Sequence, residues 1–156
     1  MQKTGGPTMR KLVVAIIIIA SAVVAVSGNS GKTVVPAKIS KADMAGKIFE
    51  RDNMIETTHD NGNVTLDVTT LLSGDGKFAS GMYRSGKSYF EATEPYGVDE
   101  FMYFLEGSVK LTSSDGTIQT IGPGEAVTIP KEWTGIWDTE GYTKIWVIYS
   151  ADGSGL

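Results

Sequence analysis

The sequence predicts an all-β protein, an antiparallel sandwich or barrel, and three observations carry that prediction. Short apolar or alternating runs recur at fairly even intervals, at Val64–Leu72, Phe78–Arg84, Tyr89–Ala92, Phe101–Leu105, Ser108–Thr112, Thr117–Ile121, Ala126–Ile129, Thr134–Trp137 and Lys144–Tyr149. The breaks between them carry turn chemistry, including Ser73-Gly74-Asp75-Gly76, Ser85-Gly86, Asp115-Gly116, Gly122-Pro123-Gly124 and Glu140-Gly141. Asp-Gly between strand patterns supplies the positive φ that a tight hairpin needs. No long helical period competes with these signals, and many short strands with Gly and Pro turns point to a closed or layered β architecture.

Taken in order, the elements begin with a leader. Arg10-Lys11 precedes fifteen apolar or small residues, Leu12 to Val26, and then Ser27-Gly28. A basic start, an apolar centre and small residues after it describe a secretory signal peptide over residues 1–27, with Met9 as an alternative start, and hence a secreted or periplasmic protein. The alternative is an N-terminal membrane anchor, for which the run is short against the ~20 apolar residues of a spanning helix. Residues 28–63 read as an N-terminal arm and loop. Thr33–Pro36 suits an edge strand because Pro is tolerated there. Lys41–Phe49 suits a short helical turn, and Glu56–Asn63 is polar loop. Residues 64–150 form the β body, and residues 151–156 a disordered tail. Within the body, Phe101–Leu105 is apolar at nearly every position, which predicts a strand covered on both faces and ended by Gly107.

Composition narrows the partners. The chain of 156 residues fits one domain and has 14 basic against 18 acidic side chains, a net charge of −4. Loss of the leader removes Lys3, Arg10 and Lys11 and no acid, leaving 11 against 18, or −7. No basic face for nucleic acid is indicated, and contact with the membrane is expected only through the leader. The absence of cysteine excludes disulfides and thiolate sites. The one histidine, His59, lies in the polar loop and reads as exposed. Ser85, Ser113 and Ser114 have no histidine base near them in the motifs, which argues against a Ser-His-acid hydrolase.

Asp99-Glu100-Phe101-Met102-Tyr103-Phe104-Leu105-Glu106-Gly107, then Gly122-Pro123-Gly124-Glu125-Ala126-Val127-Thr128-Ile129-Pro130, then Lys131–Trp137, resemble the two motifs of a cupin. The stretch is most similar to the small single-domain cupins grouped with (S)-ureidoglycine aminohydrolase and with the ethanolamine-utilisation cupin. The likeness covers about Phe78 to Tyr149, roughly half the chain. It implies a double-stranded β-helix, or jelly roll, with the site at the barrel mouth, and a homodimer.

In metal-binding cupins the first motif supplies two histidines and a glutamate, and the second a third histidine. Carried over, the glutamate falls on Glu100, the first two histidines on Glu94 and Tyr96, and the third on Gly135. Only the carboxylate persists, so no metal and no other cofactor is expected. Glu94, Tyr96 and Glu100 offer at most a weak oxygen cage. Period-two geometry turns Met102 and Phe104 inward with Glu100, and Trp133 and Trp137 inward with position 135.

Two readings of that lining stand side by side. It either forms an aromatic and acidic ligand pocket of Glu94, Tyr96, Glu100, Met102, Phe104, Trp133 and Trp137, or it fills a solid core. Glu132 reads as a surface turn residue. Lys87, Arg84 or Lys144 is placed to neutralise Glu100; the alternative is a Glu100 buried against Trp133 and Met102, with a raised pKa. The functional expectation is an exported cupin binding a small organic ligand. Its alternatives are a hydrolase or lyase for a small nitrogenous metabolite, with Glu100 as acid-base and Tyr96 as donor, and a structural barrel.

Overall fold

The computed structural model describes residues 34–156; the signal peptide expected over residues 1–27 lies outside the described residues. A short helix α1, Lys41–Met44, and a 3-10 turn, Lys47–Glu50, precede eight strands. These are β1 Ile55–Thr58, β2 Val64–Leu72, β3 Phe78–Ser85, β4 Ser88–Ala92, β5 Asp99–Ser113, β6 Ile118–Ile121, β7 Ala126–Ile129 and β8 Gly135–Tyr149. Every pairing between them is antiparallel.

β5 and β8 are 15 residues long and serve two layers. The first half of β5 pairs with β7 and the second with β6. Likewise, Gly135–Thr139 of β8 pairs with β4, and Tyr142–Tyr149 pairs with β3. One layer is therefore β1-β2-β3-β8-β5-β7 and the other β4-β8-β5-β6, the two halves of a double-stranded β-helix. This merges four expected strands into two. Gly107 and Gly141 were expected to end strands, yet hydrogen bonding runs through both. At the bend a β-carbon on Gly107 would lie 1.9 Å from the Gly141 carbonyl oxygen, and φ at Gly107 is +67°. Glycine here bends the ladder without stopping it, and bulges at Phe104/Glu106 and Ser108/Lys110 flank the turn.

Three further expectations change. The polar loop begins later than expected, because Ile55–Thr58 pairs with β2 as an edge strand whose polar composition suits its exposure. Val34–Pro36 is not a strand: Val34 is 95% exposed and no strand lies beside it, while Thr33 falls outside the described residues. Burial along β5 alternates, with Glu100, Met102 and Phe104 buried while Phe101 and Tyr103 are 42% and 36% exposed. Only the inner face of β5 meets the opposite layer there, so the apolar run is not covered on both sides.

The core between the layers consists of Met102, Phe104, Val109, Leu111, Ile121, Ile129, Trp137 and Tyr142. Full burial of side chains such as Met102 and Phe104 contributes about 1.5–3 kcal/mol each. A second cluster lies on the outer face of the first layer, where Ile48 and Phe49 from the arm cover Val68 and Met82 beside Leu105 and Ile145. Ser40 and Asp43 cap α1 reciprocally, which fixes where the arm enters. The tail turns around Asp152, whose carboxylate accepts from the Ser150 hydroxyl and from the Ser154 amide and hydroxyl.

Candidate ligand-binding site

Cross-strand register assembles the site on the inner face of the first layer. Asp67 of β2 stands opposite Tyr83 of β3, Tyr83 opposite Lys144 of β8, and Lys144 opposite Phe104 of β5. One step along, Met102 faces Trp146, and beyond it Glu100 faces Ile148.

Glu100 is the centre of a buried network. Lys144 Nζ donates to Glu100 Oε1 at 2.6 Å and approaches Met102 Sδ at 3.0 Å. The Tyr96 hydroxyl donates to Glu100 Oε2 at 2.5 Å, so both carboxylate oxygens are engaged. The two charged side chains are only 5% and 7% exposed. The Lys144 ammonium also lies 5.5–5.8 Å from the ring centroids of Tyr83, Trp137 and Tyr142. The aromatic lining is thus a cage around the protein's own cation.

The loop carrying Tyr96 is anchored by two backbone bonds, Tyr96 N to Trp133 O at 3.0 Å and Gly97 N to Lys131 O at 2.8 Å. The Tyr96 ring meets Trp133 edge to face at 6.3 Å, and Trp133 donates its indole N–H to Ser113 Oγ. Burial, and next the Glu100 charge, hold the Tyr96 phenol well above its usual range. Burial does the same to Tyr142, and pushes Tyr83 up to about 12. Asp67 is likewise pushed up to about 6 by burial, against the opposing hydrogen bond from Trp146 Nε1 at 3.1 Å.

Of the residues expected at the site, Glu100, Met102, Phe104 and Trp137 come together in the interior and Tyr96 joins them through its hydroxyl. Trp133 is half-buried behind Tyr96, and Trp137 stacks on Phe90 at 5.8 Å. Glu94 is exposed and is not among the groups bonded to Glu100. Of the three candidate cations only Lys144 reaches Glu100. Lys87 pairs with Glu140 at the surface, and Arg84 lies over the Phe49 ring. Glu132 is exposed beside Lys131.

His59 departs from its expected exposure. It is half-buried and its Nε2 is 3.0 Å from the buried Thr65 hydroxyl, because the hairpin β1–β2 folds it over the sheet. Sequence reasoning missed Asp67, Tyr83 and Trp146. Alternation within Val64–Leu72 does not say which face of the strand turns inward; the arm covers Leu66 and Val68, which leaves Asp67 on the opposite face.

The donor set does not fit the metal centre of histidine-bearing cupins. Among the described residues no three His, Cys, Asp or Glu side chains converge. At Gly135, where a third histidine would stand, a β-carbon would lie 2.2 Å from the Thr112 carbonyl oxygen and 2.8 Å from the Trp133 ring. Gly135→His is therefore expected to cost at least about 1 kcal/mol in chemical denaturation without giving a Zn-dependent rise in thermal stability; such a rise would contradict this geometry. Two surface concavities, of 260 Å³ by Arg84, Glu106 and Tyr142 and of 490 Å³ by Glu91, Thr112 and Thr134, are not lined by Glu100 or Lys144.

The bent two-layer sheet with its Gly107 and Gly122-Pro123-Gly124 turns defines a cupin fold. Residues 72–144, a little under half of the chain, match the family model of the EutQ-like cupin domain. Solved structures agree on the fold. EutQ from Clostridium difficile superposes with a TM-score of 0.51 at 20% identity, over 64% of this chain and 78% of that one. A DUF861 protein from Pseudomonas syringae gives 0.55 at 16%, over 61% and 43%. Ectoine synthase from P. lautus gives 0.53 at 15%, over 76% and 78%. No curated protein matches the chain.

Proposed function

We propose that the protein is an exported, metal-free cupin that binds a small organic ligand against the inner face of its first layer. The observation that carries this reading is the buried Lys144–Glu100–Tyr96 network. An internal ammonium supplies the positive charge beside Glu100 that a metal ion supplies in histidine-bearing cupins. Around it lie Met102, Phe104 and Trp137, which are buried, and Trp133, which is half-buried, so a ligand would meet the network from the side of Tyr96 and Trp133. The leader supports export, and Phe78, Phe101, Tyr103 and Tyr149, exposed on the body, support a homodimer.

The hydrolase or lyase reading has less support, because both Glu100 oxygens are already occupied by Tyr96 and Lys144. The structural reading is favoured by the complete burial of Met102 and Phe104. A thermal-shift screen over small amines, ureides, sugars and organic acids separates the two. A ligand at 100 times its Kd stabilises by ~2.7 kcal/mol, and that stabilisation should shrink in Tyr96→Phe. Silence across the screen would favour the solid barrel.

A further inference from the structure

The charges on the inner face do not balance. Glu100 and Lys144 neutralise each other at 2.6 Å, and the ammonium's remaining close polar contact is Met102 Sδ. Asp67 lies outside that pair. Its side-chain partner is the Trp146 indole N–H, a neutral donor. The groups facing it are Ile55 from β1, Tyr83 from β3, Lys144 and Trp146 from β8 and, farther off, Glu100 from β5. Asp67 is half-buried, and Thr69, next along the same face, is exposed, so this carboxylate sits at a rim open to solvent. A carboxylate placed between a tyrosine and a tryptophan at an open rim has the chemistry that holds an organic ammonium, through one charged hydrogen bond and contact with two aromatic rings.

We propose that Asp67 anchors the ligand and that the ligand is a small primary ammonium compound whose carbon skeleton lies against Tyr83 and Trp146. This rests on the ligand-binding reading above and names the class of ligand. Burial holds the Asp67 carboxyl up at about 6, the mark of a charge lacking a full counter-ion, and a bound cation supplies one.

Calorimetric titration of the wild type with butylammonium, 1-butanol and butyrate tests the proposal, since the three differ in charge and little in size. Butylammonium should bind about tenfold to a hundredfold tighter than 1-butanol, the span of one charged hydrogen bond. In Asp67→Asn, which keeps an acceptor for Trp146, that advantage should vanish. Should butyrate or 1-butanol bind as tightly as butylammonium, or should the advantage survive in the variant, the Asp67 proposal falls while ligand binding in the barrel stands. If none of the three binds, the Asp67 proposal also falls, and the wider thermal-shift screen then decides on ligand binding. The wild-type comparison needs no variant, so a poorly folding Asp67→Asn would not spare the proposal.

Discussion

Lys144→Met should destabilise the protein by about 3–5 kcal/mol, read as a shift of the urea midpoint at constant slope. The substitution keeps most of the apolar stem and removes the ammonium, leaving Glu100 buried at 4% exposure with only the Tyr96 hydroxyl as partner. An uncompensated charge in that position is far more costly than the lost attraction alone suggests, since desolvation of the carboxylate is no longer offset. Adding Glu100→Gln to Lys144→Met should therefore recover a large part of the loss. The two single changes will not add, because each leaves the other's charge stranded. A loss below about 1 kcal/mol in Lys144→Met would mean that the pair behaves like an exposed one, against the buried geometry.

Asp67→Asn is expected to act in the opposite direction and to do so only at higher pH. The folded protein holds this carboxyl at about 6, above its ordinary value of 3.8, so the folded state binds the proton more tightly than the unfolded chain. That contribution to stability is complete below about pH 4 and is lost as pH rises through about 6. A carboxyl raised that far forfeits about 2–3 kcal/mol once it ionises in place. Asparagine cannot ionise, so the variant escapes this loss. It should match the wild type near pH 4 and exceed its stability by about 2–3 kcal/mol at pH 7 and above. Equal stability of the two proteins across that range would show that Asp67 is ordinarily solvated. An acid retained at such a cost to stability fits a residue kept for binding.

Local signals made the fold legible. The bounds of β2 and β7 follow from period-two patterning between Gly and Pro turns, because those signals act over a few residues. The long strands were less visible. Gly107 and Gly141 have the composition of a stop, and only their mutual approach across β5 and β8 turns them into a bend. The same distinction governs the site. Glu100, Met102 and Phe104 share one strand, so alternation alone sends them inward together. Tyr96 lies four residues from Glu100, within reach of motif reasoning. Lys144 is 44 residues from Glu100, and its claim could be weighed against Lys87 and Arg84 only once register set β8 beside β5. Asp67 required register across β2, β3 and β8, and knowledge that the arm covers the opposite face of β2. Long-range pairing is the information that patterning within one strand lacks.

In the proposed function, Lys144 serves as the internal cation beside Glu100 in place of a metal. The most direct measurement is the metal content of protein purified without chelator from medium supplemented with Mn, Zn and Fe. The expected result is metal well below one ion per chain, with Lys144→Met gaining none. A content near one Mn, Zn or Fe per chain in the wild type would contradict it.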